Sequence, residues 1–179
     1  VLRGKGVDAS IEFCESVIKA YRDKNRRIKS FWSKTEKAAV NAVQTGQPQK
    51  AGPYTFHVKG DWLHCRMPCG RDISYHKPEL VPGMYGPQIR FMGVCPQTGK
   101  AKRDHTYGGK LVENVTQAVC RDLLVEAMAR LEKAGYTTIV HVHDEVVLEV
   151  DENFGSVEEV EKIMSIVPSW ASGFPVGAE

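Results

Sequence analysis

A chain of 179 residues, 42% of them hydrophobic, is long enough and apolar enough to bury the core of one domain. A formal net charge of +2 is too small to argue for nucleic acid by itself, and no apolar run approaches the roughly 18 residues that cross a membrane. Five cysteines in odd number form no Cys-x-x-Cys pair and no signal peptide is evident, so a reduced, cytoplasmic compartment is expected. The first residue is Val1 and the last stretch, PVGAE, has no terminating helix, so both ends read as cut.

The first predicted region is helical, over residues 11–45. Phe13, Val17, Ile18 and Tyr21 form one apolar stripe, and Ile28, Phe31, Trp32, Ala39 and Val43 form another. Gly46, Pro48 and Gly52 end it. Residues 54–99 are rich in Gly, Pro and short alternating segments. TFHV, WLHCRMP, DISYHKPEL and QIRFMGV predict four antiparallel strands, with Gly70 and Arg71 in a turn between two of them. His64, Cys65, Cys69 and His76 are candidate zinc donors, but Cys-x3-Cys without a second pair matches structural zinc sites poorly.

A long helix is predicted over residues 107–131, entered through Gly108 and Gly109 and closed by Gly135. Val112, Val115, Val119 and Leu123 are its expected buried stripe. Lys110, Asn114, Gln117 and Arg121 would line the other face, a set of donors without an acid that suits phosphates and base edges. Next comes HVHDEVVLEV over residues 141–150, read as a strand, a tight turn and a second strand of a half-buried hairpin. It holds His143, Asp144 and Glu145 at its tip. A carboxylate fixed there suits an oxygen-preferring cation such as Mg²⁺, which takes one or two protein carboxylates and completes its shell with water and phosphate. A short amphipathic helix is expected over residues 157–167, stopped by Pro168.

TYGGKLVENVTQAVCRDLLVEAM followed by VHDEVVLEV resembles the palm region of family A DNA polymerases, especially the phage-encoded branch related to bacterial DNA polymerase I. The resemblance is densest over residues 106–150. It implies that Asp144 is the motif C aspartate that ligates catalytic Mg²⁺, with Glu145 the acid beside it and His143 near the primer 3′ end. Gln117 matches the helix glutamine that contacts template-primer near the insertion site. The pattern departs upstream: Asn114 lies three residues before Gln117 where the bacterial enzymes have four, and Gly109 occupies the place of an Arg that Lys110 would replace. Arg103 aligns with an arginine that reaches the duplex minor groove, whose acceptors occur at every base pair. MPCGRDISY stands where phage relatives have a segment of the type LPSGRxLxY, which places Arg71 in a hairpin turn.

The family's second metal-binding aspartate, in a motif of the type DYSQIELR, and its fingers helix RxxxKxxxFGxxYG do not occur in these residues. The resemblance thus implies an α/β (α+β) palm fragment, with a helical segment at 1–52 that follows absent fingers, a β-rich insertion at 53–105 and the C-terminal palm portion at 106–179. Two Mg²⁺ ions, primer-template DNA, a dNTP and the N-terminal remainder of the polymerase would be its partners, and no membrane. Alone, the fragment is expected to be inactive. Two other classes fit the residues themselves: a non-catalytic DNA-binding module, and a single-metal enzyme using His141, His143 and a carboxylate.

Overall fold

The structure, a computed structural model, describes residues 10–83 and 86–179. Two helices come first, α1 (Ile11–Lys24) and α2 (Arg26–Thr45). Ser10 caps α1 by accepting from the Phe13 amide at 3.2 Å, and Asn25 separates the two helices. Gly46 ends α2 at φ 68°, the left-handed conformation that glycine adopts without a Cβ penalty.

The predicted apolar stripe of α1 exists, but it is not buried. Phe13, Val17, Ile18 and Tyr21 are all exposed, as is Ile11 beside them, and the main packing of α1 among the described elements is a short contact with α2. In α2 the buried face is Thr35, Ala38, Ala39, Val40 and Ala42. Small residues there let the helix lie close on the sheet. Thr35 is fully buried and its hydroxyl is satisfied by the Tyr54 hydroxyl at 2.9 Å.

Six strands form one antiparallel sheet in chain order: β1 (Gln49–Ala51), β2 (Tyr54–Lys59), β3 (Trp62–Arg66), β4 (Asp72–Gly83), β5 (Gly86–Val94) and β6 (Ala101–Thr106). The four predicted strands are β2 to β5. Alternation sets the sheet's inner face: Tyr54, Phe56, Leu63, Cys65, Tyr75 and Ile89 point into a cluster shared with α2 and the first turns of the next helix. Burial pushes the Cys65 thiol and the Tyr75 phenol each up to about 12. The outer face carries polar and aromatic side chains.

Helix α3 (Gly108–Lys133) crosses α2 so closely that a Cβ on Gly108 would stand 2.2 Å from the Trp32 carbonyl oxygen. Its buried residues are Gly108, Leu111, Val115, Leu124, Ala127 and Leu131, so of the predicted stripe only Val115 is buried. The face rotates because the helix changes partners along its length. The first half packs on α2 and the sheet, and the second half packs on the hairpin strand β7 (Thr137–Val142) and the short helix α4 (Val157–Met164). Gly135, at φ 95°, turns the chain from α3 into β7.

β7 pairs with β8 (Glu145–Glu149) as a separate two-stranded sheet. The strand–turn–strand prediction holds, but the expected half-burial does not. Ile139, Val140, Val142, Val147 and Val150 are between 41% and 58% exposed, so the hairpin lacks cover over much of its apolar surface. α4 is capped by Ser156, which accepts from Glu159. It is anchored by Tyr136, whose hydroxyl donates to Glu159 at 2.6 Å. Arg130 of α3 donates to the Ile163 and Ile166 carbonyls and holds the helix end. A single 3-10 turn (Ser169–Ala171) follows.

Candidate nucleic-acid interface

Val142 pairs with Glu145, so His143 and Asp144 form a two-residue turn. His143 has φ 55°, a region that histidine tolerates at a cost of order 1–3 kcal/mol and that primed hairpin turns demand. The strained turn lifts Asp144 clear of both strands. Neither Asp144 nor Glu145 forms an ion pair or side-chain hydrogen bond among the described residues, and both are exposed. Two such carboxylates offer hard oxygen donors of the kind Mg²⁺ takes. No group of three or more His, Cys, Asp or Glu among the described residues is placed to hold a metal, so the donors here fit part of such a site.

The hairpin tip faces α3. Gln117, Cys120, Arg121, Leu123, Leu124 and Ala127 of the helix, His143 and Asp144 of the turn, and Met164 with the tail residues 174–178 surround one cavity of about 590 Å³. Its floor is apolar, and its rim is an amide, a guanidinium, an imidazole and a carboxylate. The tail is held there by the Ala178 amide donating to the Ser165 hydroxyl at 3.1 Å. Cys120, Met164 and the tail escape sequence reasoning, because an extended tail carries no periodicity and a lone Met or Cys no motif.

Arg121 points at the hairpin, with its Nη atoms 3.2 and 3.4 Å from the two ring nitrogens of His141. A guanidinium so close to both nitrogens opposes cation binding by that ring. His143 lies in the turn, so the strand face that His141 and His143 would share in a single-metal site is not formed.

Four other expected DNA contacts lie elsewhere. Lys110 pairs with Asp104 at 3.1 Å, and the amide of Asn114 donates to the Tyr75 hydroxyl at 3.2 Å, so of the four predicted donors Gln117 and Arg121 line the cavity. The Lys110 partner holds the Asp104 carboxyl below the usual carboxylate range. Arg71 donates to Asp122 of α3 at 2.8 Å, where Cys69 also donates at 2.9 Å. These bonds tie the β3–β4 turn to the helix. Arg103 sits on the outer face of the sheet, donating to the Lys77 carbonyl at 2.7 Å with Glu79 at 3.6 Å, and is not brought together with Gln117. For zinc, the Cys65 side chain lies on the inner face of the sheet and those of His64 and His76 on the outer, which separates the candidate donors.

No helix among the described residues is long and apolar enough to cross a membrane. No family model matches the chain, and no solved structure matches it. Over 165 residues it is 40% identical to a protein described as DNA polymerase from Bacillus phage SP02. The match covers 91% of this chain and 26% of the relative, so the chain spans about a quarter of the length of the protein it matches. By that similarity the chain resembles a segment of a phage-type DNA polymerase, as the helix and hairpin motifs indicate.

Proposed function

We propose that this chain is the motif C portion of the palm of a family A DNA polymerase, acting in template-directed transfer of a nucleotide from dNTP to a primer 3′-hydroxyl. The observation that carries the reading is the convergence of Gln117 and Arg121 of α3 with His143 and Asp144 of the hairpin around one cavity. A helix face that grips duplex beside a carboxylate that meets the reacting phosphate is the pairing this reaction needs. Mg²⁺, when bound, would offset negative charge on the phosphate oxygens and ease loss of the hydroxyl proton. Asp144 would be its ligand from this chain, with Glu145 beside it. His143 would border the primer end, and Gln117 and Arg121 would seat the duplex through contacts that do not read sequence.

The uncovered apolar surfaces support the same reading. A two-stranded hairpin is marginal by itself, and β7 and β8 expose Ile139, Val140, Val142 and Val147, with Val150 exposed just beyond. α1 exposes a whole stripe. Packing of the N-terminal remainder would cover such faces, and it would supply the second carboxylate of the metal site.

In the complete polymerase, Gln117→Ala and Arg121→Ala should each weaken primer-template binding about five- to tenfold at any sequence, and Arg121→Ala should also reduce the salt dependence. Equilibrium binding over a salt series measures both. Unchanged affinity in both variants would return this face to an ordinary solvated helix surface.

A further inference from the structure

Cross-strand register places a group of planar side chains on the outer face of the six-stranded sheet, away from α2 and α3. His57 of β2 is opposite His64 of β3, and Trp62 of β3 is opposite His76 of β4. The rings stack. His57 and His64 have centroids 5.1 Å apart with 22° between planes, and Trp62 and His76 have centroids 4.4 Å apart with 25°. Trp62 and His64, two residues apart on one strand, link the pairs at 6.5 Å. The Trp62 residue is 40% exposed, so the indole remains open to a further ring.

Charge on this face is predominantly basic. By the same register it carries Lys59, Arg66, Arg90 and Arg103 against Asp72 and Glu79. Arg66 is paired with Asp72 and Arg90 with Glu79, whereas Lys59, directly across from Trp62, forms no ion pair among the described residues. Four of the chain's six histidines, His57, His64, His76 and His105, lie here. They do not converge on a cation.

We infer that this face binds single-stranded nucleic acid, stacking unpaired bases on Trp62 and its neighbouring imidazoles while Lys59 meets the phosphates. Aromatic side chains on an antiparallel sheet, edged by cations, hold single strands because every base has a π-face. A duplex buries those faces in its own stack, so the preference is for unpaired strands. An apolar protein partner would be a poor occupant, since imidazoles and paired ions border the rings. The inference does not depend on the polymerase reading, because the cavity at Gln117 lies on the other side of the sheet and uses none of these residues.

The test is fluorescence anisotropy of the 179-residue chain titrated against labelled oligo(dT), oligo(rU) and a hairpin duplex with the same number of phosphates. One or both single strands should bind more tightly than the duplex, and the better of the two identifies DNA or RNA as the source of the bases. Trp62→Ala should weaken single-strand binding about tenfold or more, Trp62→Phe should stay within about threefold of wild type, and duplex binding should be unchanged in both. Trp62 is partly exposed, so thermal unfolding of the variants serves as the control for intact structure. Single-strand affinity unaltered in Trp62→Ala, or lowered equally in the Ala and Phe variants, would overturn the proposal. Loss of duplex binding in Gln117→Ala with single-strand binding retained would separate the two surfaces.

Discussion

Asp144→Asn in the complete polymerase is expected to slow single-turnover incorporation about a thousandfold or more, while primer-template binding and folding persist. The substitution keeps the shape of the side chain and removes its charge. In the structure the carboxylate stands on a two-residue turn with no hydrogen-bond or ion-pair partner among the described residues, so nothing structural depends on it. A thousandfold loss corresponds to about 4 kcal/mol in the barrier, within the range that a charge acting on the transition state supplies. Stability should hold or rise slightly, because repulsion between Asp144 and the adjacent Glu145 is relieved. Glu145→Gln should slow the reaction less. Rapid-quench incorporation separates chemistry from binding. A rate for Asp144→Asn within about tenfold of wild type, or about 1.4 kcal/mol, would remove Asp144 from the site.

A loss of stability is expected on substitution of Gly108. A Cβ there would lie 2.2 Å from the Trp32 carbonyl oxygen and 2.7 Å from its carbon, and the obstacle is the backbone of α2, which cannot rotate away. Gly108→Ala must push α2 and α3 apart and loosen the cluster that holds Leu111 and Val115. The strain of overpacking, about 1–3 kcal/mol or somewhat more, outweighs the roughly 1 kcal/mol that alanine gains in helix propensity. Net destabilisation of about 1 kcal/mol should lower Tm by about 2–4 °C in a chain of this size. Gly109→Ala is the comparison. Its Cβ would meet the Tyr107 ring at 2.9 Å and the Trp32 ring at an ordinary 3.8 Å, and side chains can move. Denaturant unfolding of both variants measures the difference, and equal stabilities would contradict the close crossing of α2 and α3.

Local pattern was sufficient for some elements and not for others. HVHDEVVLEV could be read as a hairpin because β-branched runs and a charged turn are properties of ten consecutive residues. Strands β2 to β5 were legible for the same reason. β6 was not, since AKRDHT is charged and lacks alternation. It pairs as an edge strand, where charge is favoured because it deters further pairing. That missed strand also hid the fate of Lys110, whose partner Asp104 lies on it. The buried face of α3 could not be read from a single period, because the helix has different partners at its two ends. Exposure of α1 and the hairpin could not be read either: an apolar stripe states that a surface wants cover, and only tertiary structure shows whether cover is present.

Within the site, Gln117 and Asp144 were identifiable from motif and meet at the cavity, whereas Arg71 and Arg103 were identifiable only by alignment and are held in other places. A charged side chain in a turn or strand finds whatever partner the fold brings near it. Asp122 for Arg71 and the Lys77 carbonyl for Arg103 are distant in sequence, so no local reading anticipates them.

The most direct measurement of the central claim is templated primer extension by this chain, alone and mixed with an upstream fragment that carries the missing motif A aspartate and fingers. On the proposed reading, in which Asp144 is one of two carboxylate contributions to the metal site, the chain should extend no primer by itself, and any synthesis regained on mixing should vanish with Asp144→Asn. Templated synthesis by the purified chain alone, free of contaminating polymerase, would contradict the account.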